Sequence, residues 1–446
     1  MSTKTPFKAI IIGGGPVGLT FAQCFSAAGL DFTLLERRET VTPEEGAGIA
    51  ISPTTFRIYD QLGLLDAINK IATPIPQKHV MTKDGHRYNS YEFHLRECHG
   101  RPMAFVHRHE LLTMLHSTLS DDAKSKIQTN KSIASIVSTD HGVEVTCDDG
   151  SVISGSIVIG ADGVHSKTRR LMNDLSGHEE PVFETTFQGM FGNFPRAANV
   201  EEGSQMEPGH DWEVHSDKIS SQCFVGRERG WFIIYRPLAP GPTRERKTYT
   251  EEDVQAFAKD LIEMDLHLTD KVKFADVFKV VNKAGMTQLQ EGAVLKRSFQ
   301  RIVLAGDACN KITPNVGLGY NNGVVDVVYL TNALKKLVED AGQTEIRTET
   351  IEELFARYQE DRRALSETVD SAARRVIRTV THSDFVKYVL DRWVNPVLGL
   401  DKVYGTKVMG PLLAKQQVLE WLGEKNYLPG KIPWVHRGLV AGEVKA

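Results

Sequence analysis

The stretch Gly13-Gly14-Gly15-Pro16-Val17-Gly18 sets three glycines at G-x-G-x-x-G spacing, between an apolar run (AIII) and a helical pattern. That arrangement suits a pyrophosphate. Gly13 permits a tight turn, Gly15 lets phosphates approach the backbone, and Gly18 lets helix and strand pack closely. The first N–H groups of the following helix, with its positive dipole end, face the anion. Glu36 closes the next apolar run, DFTLLE. Its carboxylate can accept both hydroxyls of an adenosine ribose, and its charge repels a 2′-phosphate. The chemistry read here is binding of FAD or NAD, with NADP disfavoured in this cradle.

Two further stretches carry reactive-looking side chains. Asp162-Gly163 follows the apolar run SIVIG, with Ser166 and Arg169 behind it. Gly306-Asp307 follows RIVLA and opens a glycine-rich loop that runs through Gly317 and Gly319 to Asn321. Cys309 and Asn310 sit inside that loop.

These residues need a frame. Continuous apolar runs such as AIII read as parallel strands covered on both faces. The first helix is expected to reach Ala28, with Gly29 as its cap, and DFTLLE is the second strand. A second G-x-G-x-x-G at a strand–helix junction is absent, so one nucleotide fold is expected.

Composition narrows the classes. The chain has 446 residues, 41% hydrophobic and 25% charged, with a net charge of −4. No basic face dominates, which argues against nucleic acid as a partner. Five scattered cysteines form neither a C-x-x-C pair nor a metal-ligand spacing, so no metal is expected and the thiols read as free and buried in a reducing compartment. No apolar run approaches the roughly 20 residues needed to span a bilayer, and the N-terminus lacks a secretory pattern. A soluble, cytoplasmic protein is the expectation, its oligomeric state open.

Taken in order, the three motifs resemble the class A FAD-dependent monooxygenases, the p-hydroxybenzoate-hydroxylase-like flavoproteins. Their G-x-G-x-x-G matches residues 13–18, their D-G-x-x-S-x-x-R matches Asp162 to Arg169, and their long G-D-A loop matches Gly306 to Asn321. The resemblance runs from about residue 7 to 372. EEGAGIAISPTTFRIYDQLGLLD and GKIPWVHRG are similar to the fungal secondary-metabolism branch, which acts on indole alkaloids, indole diterpenes and meroterpenoids.

The resemblance implies FAD as the resident cofactor, with NAD(P)H as a transient co-substrate. O2 adds to the reduced flavin as a C4a-hydroperoxide that epoxidises or hydroxylates a small-molecule substrate. By the same resemblance Arg108 lies near the ribityl and pyrophosphate, Gly48 and Ala50 lie along the flavin, and Tyr320 touches it through its backbone. Asp162 and Arg169 tie their loop together near both nucleotides. A plain ion pair holding a surface turn is the other reading of Arg169, and His165 reads as a loop residue.

The last loop has a physical reading of its own. Reduced flavin is anionic, and a helix starting near Gly319–Asn322 aims free N–H groups at it. Gly317 and Gly319 admit the ring edge to the backbone, and Asp307 can accept from a ribityl hydroxyl. Cys309 reads as packing, and Asn310 stands where many relatives carry histidine.

The expected fold is α/β. A Rossmann-like FAD-binding domain is discontinuous over 1–70, 100–180 and 281–372. An antiparallel-sheet substrate domain takes 71–99 and 181–280, and a C-terminal helical region takes 373–446. In the substrate sheet, Gln188, Met190 and Phe194 should share one face of the first strand. Gln222 with Phe224, and Trp231, Ile233 and Tyr235, share faces of the next two. Gln188, Tyr235, Pro314 and Asn315 are the expected pocket residues, with no certain catalytic side chain. Phe187-Gln188 replaces the Tyr-Arg or Tyr-Lys pair of some relatives. This leaves the sheet without a fixed cation and favours a bulky, largely apolar substrate over a small carboxylate; the resemblance implies an alkaloid or terpenoid. The C-terminal region reads as packing on the FAD lobe, or as a cavity wall or peripheral membrane contact. A flavin oxidase or dehydrogenase, and a hydroxylase of a small phenol, remain the alternatives.

Overall fold

A computed structural model describes residues 6–44, 48–179, 183–196, 206–342 and 344–439. Residues 45–47 of the EEGAGIA stretch and residues 181–182 and 197–205 of the expected substrate domain lie outside the described residues.

The apolar runs form a six-stranded sheet in the order Ser298–Phe299, Ile302–Leu304, Ile157–Gly160, Lys8–Ile12, Asp31–Leu35, Ile127–Gln128. All its pairings are parallel except the first. Lys8–Ile12 lies in the middle, and the chain leaves it first toward one edge and later returns on the other side. Open α/β sheets bind ligands at such a switch point, outside the carboxyl ends of the strands. The loops after Ile12, Gly160 and Leu304 all emerge there, so three motifs far apart in sequence share one edge. The first helix spans Pro16–Ala28 and ends on left-handed Gly29, as its pattern requires.

The second sheet has eight strands in the order 310–311, 283–293, 184–195, 229–237, 219–225, 210–216, 77–81, 87–92. Only the pairing of His210–Ser216 with Gln77–Met81 is parallel. One face packs on the helix Glu251–Glu263 through Met190, Phe194, Phe257 and Leu261; the other turns toward the first sheet. Three expected boundaries shift. Lys283–Ala293 pairs with Glu184–Pro195, so the substrate sheet extends past 280. Its sequence, KAGMTQLQEGA, lacks the β-branched alternation that marks a strand. The helix Thr348–Val380 runs across the boundary at 372. The C-terminal region is helical only to Ala414; beyond it the chain packs irregularly, with Val418 and Leu419 in the main core.

Gly18 shows why the first motif needs its third glycine. A methyl built there would lie 1.9 Å from the Gly13 carbonyl oxygen, so backbone would have to move. Gly18→Ala is expected to destabilise the protein by about 2–3 kcal/mol through overpacking. An unchanged thermal midpoint would show that the junction has slack.

Candidate active site

A cavity of about 660 Å³ runs from the first glycine turn to the inner face of the eight-stranded sheet. Gly13, Gly15, Glu36, Gly48, Ala50, Arg108, Asp162, Asp307, Pro314, Gly317, Gly319, Tyr320 and Tyr235 all line it. Gly13 has φ +107°, and a side chain there would strike Ala161. A side chain at Gly15 would meet no protein atom within 4 Å. The helices Pro16–Ala28 and Gly319–Ala341 begin at this cavity, and neither has a side-chain cap. Their leading N–H groups are left for an anion.

Glu36 is buried and fixed by backbone, accepting from Gly14 N at 2.6 Å and Arg38 N at 2.9 Å. One oxygen of Asp162 accepts from Lys167 N, Thr168 N and Thr168 Oγ1 at 2.8–3.0 Å. Its other oxygen is buried with no protein partner. Arg169 donates to the carbonyls of Ala308 (2.7 Å) and Val164 (2.9 Å). It thereby ties the second motif to the third.

Several sequence expectations are redirected by side-chain geometry. The Asp307 carboxylate is ion-paired with Lys311 at 2.6 Å, and Lys311 also lines the cavity. The Tyr320 ring leaves the pocket, with its hydroxyl between Thr20 Oγ1 (2.8 Å) and Tyr59 Oη (2.5 Å). Asn321 lies behind the wall. It accepts from Ser52 N and Thr55 Oγ1 and donates to the carbonyls of Ala50 and Gly317. The Asn315 side chain is likewise buried, against Thr313 and Ala373, and only its carbonyl turns toward Gln222. Cys309 is fully buried, and burial pushes its thiol up to about 12, which fits packing and not redox chemistry.

Gln188 is a correction. It faces the outer helix side, where its amide oxygen accepts from the Tyr249 hydroxyl at 3.0 Å, and it is not among the cavity residues. In the register, Gln188 stands opposite Arg236, whereas Gly189 stands opposite Tyr235 and Phe191 opposite Ile233. The cavity face of that strand is therefore the odd-numbered one. Gln222, Phe224, Trp231, Ile233 and Tyr235 do share the cavity face. Phe105 stacks on Phe224 at 4.2 Å, and its ring occupies the space that a side chain at Gly48 would fill.

Behind this wall lies an ionic chain that sequence reading missed. Tyr235 Oη donates to Gln222 Oε1 at 2.6 Å, and Gln222 Nε2 donates to Glu213 Oε1 at 2.5 Å. Lys78 Nζ lies 2.6 Å from the same carboxylate. His215 bridges Glu213 (3.0 Å) and Asp391 (2.8 Å), and Asp391 also accepts from Tyr88 and contacts His382. A ring flanked by two carboxylates must donate from both nitrogens, so His215 is an imidazolium. Burial opposes that charge, but Asp391 and Glu213 raise His215 to about 9. Burial also opposes the charge on Glu213, yet Lys78 and His215 hold it down at about 2. Asp211 is pushed up by burial and by Glu213. The signal that could have found this chain is the alternation of Asp211, Glu213 and His215 along one strand face.

The donor set fits a flavin dinucleotide. Two uncapped helix ends, the fixed Glu36 carboxylate at the end of the second strand, and the unpartnered Asp162 oxygen converge on one cavity. A protein with this sheet, these three loops and this cavity is a dinucleotide-binding flavoprotein oxidoreductase with a second, largely antiparallel sheet. The sequence profile of the FAD binding domain family matches residues 7–373, and the chain belongs to that family, as an FAD-dependent monooxygenase with FAD as its cofactor. It is 33% identical over 454 residues to the FAD-dependent monooxygenase srdH of Neurospora crassa, covering 97% of this chain and 100% of that protein. The FAD-dependent monooxygenase dpchE of Colletotrichum higginsianum is 31% identical over 407 residues, covering 88% and 85%. In structure, the chain is similar to Klebsiella pneumoniae HpxO complexed with FAD and uric acid (TM-score 0.69, 20% identity, 91% and 96% covered). It is also similar to CtdE in complex with FAD and a substrate (TM-score 0.70, 18% identity, 85% and 90% covered). These two likenesses establish the fold.

The ionic chain makes stability pH-dependent. His215 binds its proton more tightly folded than unfolded. Its contribution is therefore complete below its ordinary value of 6.5 and lost as pH rises through about 9. The loss is on the order of 2–3 kcal/mol. The melting temperature of the wild type should fall across that window, and Asp391→Asn should flatten the slope. Equal slopes for the two proteins would count against an imidazolium held by Asp391.

Proposed function

We propose that this monooxygenase uses NAD(P)H and O2 to epoxidise or hydroxylate a bulky, largely apolar alkaloid or terpenoid. One observation carries the reading: the dinucleotide cradle and the aromatic sheet face share a single cavity. When bound, the flavin supplies both electron transfer and oxygen transfer. The chain does the rest. The uncapped start of Gly319–Ala341 favours negative charge on the ring, and Gly13, Gly15, Glu36, Arg108 and Asp162 hold the dinucleotide. Phe105, Phe224, Trp231 and Ile233 exclude water and receive apolar substrate surface. The cavity residues on this sheet face include Gln222, Phe224, Trp231, Ile233 and Tyr235, and Gln222 and Tyr235 bond to each other, which favours an apolar substrate over a small carboxylate. Arg37, Lys167 and Arg170 at the cavity suit the phosphates of a transient nicotinamide dinucleotide. The fungal monooxygenases to which the chain is similar are consistent with this reading.

Purified protein should be yellow and should oxidise NAD(P)H faster with a terpenoid or alkaloid pathway intermediate than alone. The product should gain one oxygen-18 from labelled O2. Turnover without that label would point to an oxidase, and turnover confined to small phenols would point to a ring hydroxylase. Asp307→Ala removes the partner of Lys311 and leaves its cation unbalanced beside the ribityl position. FAD retention should weaken about tenfold or more, the scale of one lost charge-assisted hydrogen bond; full occupancy after gel filtration would refute the role.

A further inference from the structure

The segment 385–409 is inverted relative to an ordinary surface helix. It consists of two short helical legs joined at Gly399, which is left-handed with φ +60°. Its two carboxylates turn inward. Asp391 is buried against His215, His382 and Tyr88, and Asp401 accepts from Asn89 and Asn395. Its large apolar side chains turn outward: Phe385 is 77% exposed, Trp393 61%, Val397 81% and Leu398 63%. Scattered exposed apolar residues are ordinary on a protein surface. A run of them on one element, with Phe385 at the start and Trp393 in the middle of the first leg, is a patch that marks a contact surface.

The charges say what the contact is. With both acids engaged, the segment's own unpaired charges are basic: Lys402 and Lys407 are exposed and Arg392 is half-buried over the Tyr88 ring, while Lys387 is ion-paired with Asp384 at the segment's edge. Two copies joined about a two-fold axis would bring these like charges together around the apolar tip. An anionic headgroup layer would neutralise them while the Val397–Leu398 tip and the aromatic rings enter the acyl boundary, as in interfacial helices. No helix among the described residues is long and apolar enough to cross a membrane, so the contact lies on the surface. We propose that residues 385–409 dock this enzyme on an anionic membrane surface, with the bend at Gly399 as the inserting tip. The element also adjoins the cavity wall: Met409 packs with Ile312 and Leu318 of the glycine-rich loop, and Ile312 lines the cavity. Docking places that wall near the lipid.

The test is flotation of the full-length, FAD-loaded protein with vesicles of phosphatidylcholine alone or mixed with phosphatidylserine. Wild type should float with the mixed vesicles, and added salt should release it. Val397→Glu/Leu398→Glu should abolish flotation. Lys402→Glu/Lys407→Glu should weaken it by about tenfold or more. These side chains are exposed, so flavin absorbance and melting temperature should match wild type in both variants. Trp393 gives a second readout: a vesicle-induced blue shift present in wild type and lost in Trp393→Phe. Wild type that stays unbound overturns the proposal, as does equal flotation with neutral vesicles. A concentration-dependent dimer in sedimentation, broken by Val397→Glu/Leu398→Glu, would assign the patch to a second copy and also overturn it. None of these outcomes depends on the substrate assignment.

Discussion

Asp326 is fully buried, and its carboxylate is what holds the glycine-rich cavity loop in shape. One oxygen accepts from Gly306 N at 2.9 Å. The other accepts from Arg362 Nε at 2.7 Å, with Arg297 at 3.5 Å. Arg362 continues to Asn322, at the start of the helix Gly319–Ala341. Four pieces of chain therefore meet on one charge: the turn at Gly306, Arg297 just ahead of the strand Ser298–Phe299, the helix Gly319–Ala341 that carries Asp326, and the long helix Thr348–Val380. A buried carboxylate is costly unless paired and fully hydrogen-bonded, and here it is both. Removing Arg362 would break its bonds to both Asp326 and Asn322 and leave only Arg297, at 3.5 Å, beside the carboxylate.

The glycines make such a clamp necessary. The loop cannot be held by bulky side chains of its own, since bulk at Gly317 would strike Ala50 at 2.9 Å. Its positions are fixed from behind. Asn321 spends all of its amide on Ser52, Thr55, Ala50 and Gly317, which joins the strand Gly48–Ile51 to the loop. Arg169 ties the Asp162 loop to Ala308. The residues that shape the cavity and the residues that line it are thus largely different sets. Asn321 and Asn315 belong to the first set, although they look like members of the second.

This division explains what the sequence made legible. The cradle, the switch-point edge and the helix starts follow from glycine spacing and apolar runs, because both are local signals. The face of Glu184–Pro195 was not readable in the same way. Phe187 and Phe191 lie on one face and Met190 and Phe194 on the other, so both faces are apolar and parity cannot be told from pattern. A register irregularity between Thr185 and Phe187 adds to the ambiguity, and Gln188 fell on the wrong side. The Glu213–His215–Asp391 chain was hidden for another reason. Asp391 comes from a helical leg distant in sequence, and the alternation of Asp211, Glu213 and His215 along one strand does not say which distant partner meets them. The irregular tail after Ala414 is held by partners equally far away, such as Glu424 paired with Arg57.

The same Asp391 connects the two unusual features of the molecule. Because it satisfies the His215 imidazolium inside the sheet, the first leg of 385–409 must turn its acidic side in, and its Phe, Trp and Val side chains have nowhere to go but outward. A neutral residue at 215 would remove the reason for that orientation. From Asp391 an unbroken run of hydrogen bonds passes through His215, Glu213 and Gln222 to Tyr235 at the cavity. Every link is buried, so each is strengthened by the low local dielectric and is costly to break. The outward apolar leg and the inner cavity wall are therefore set by one electrostatic constraint, and a shift of the leg cannot leave the wall untouched.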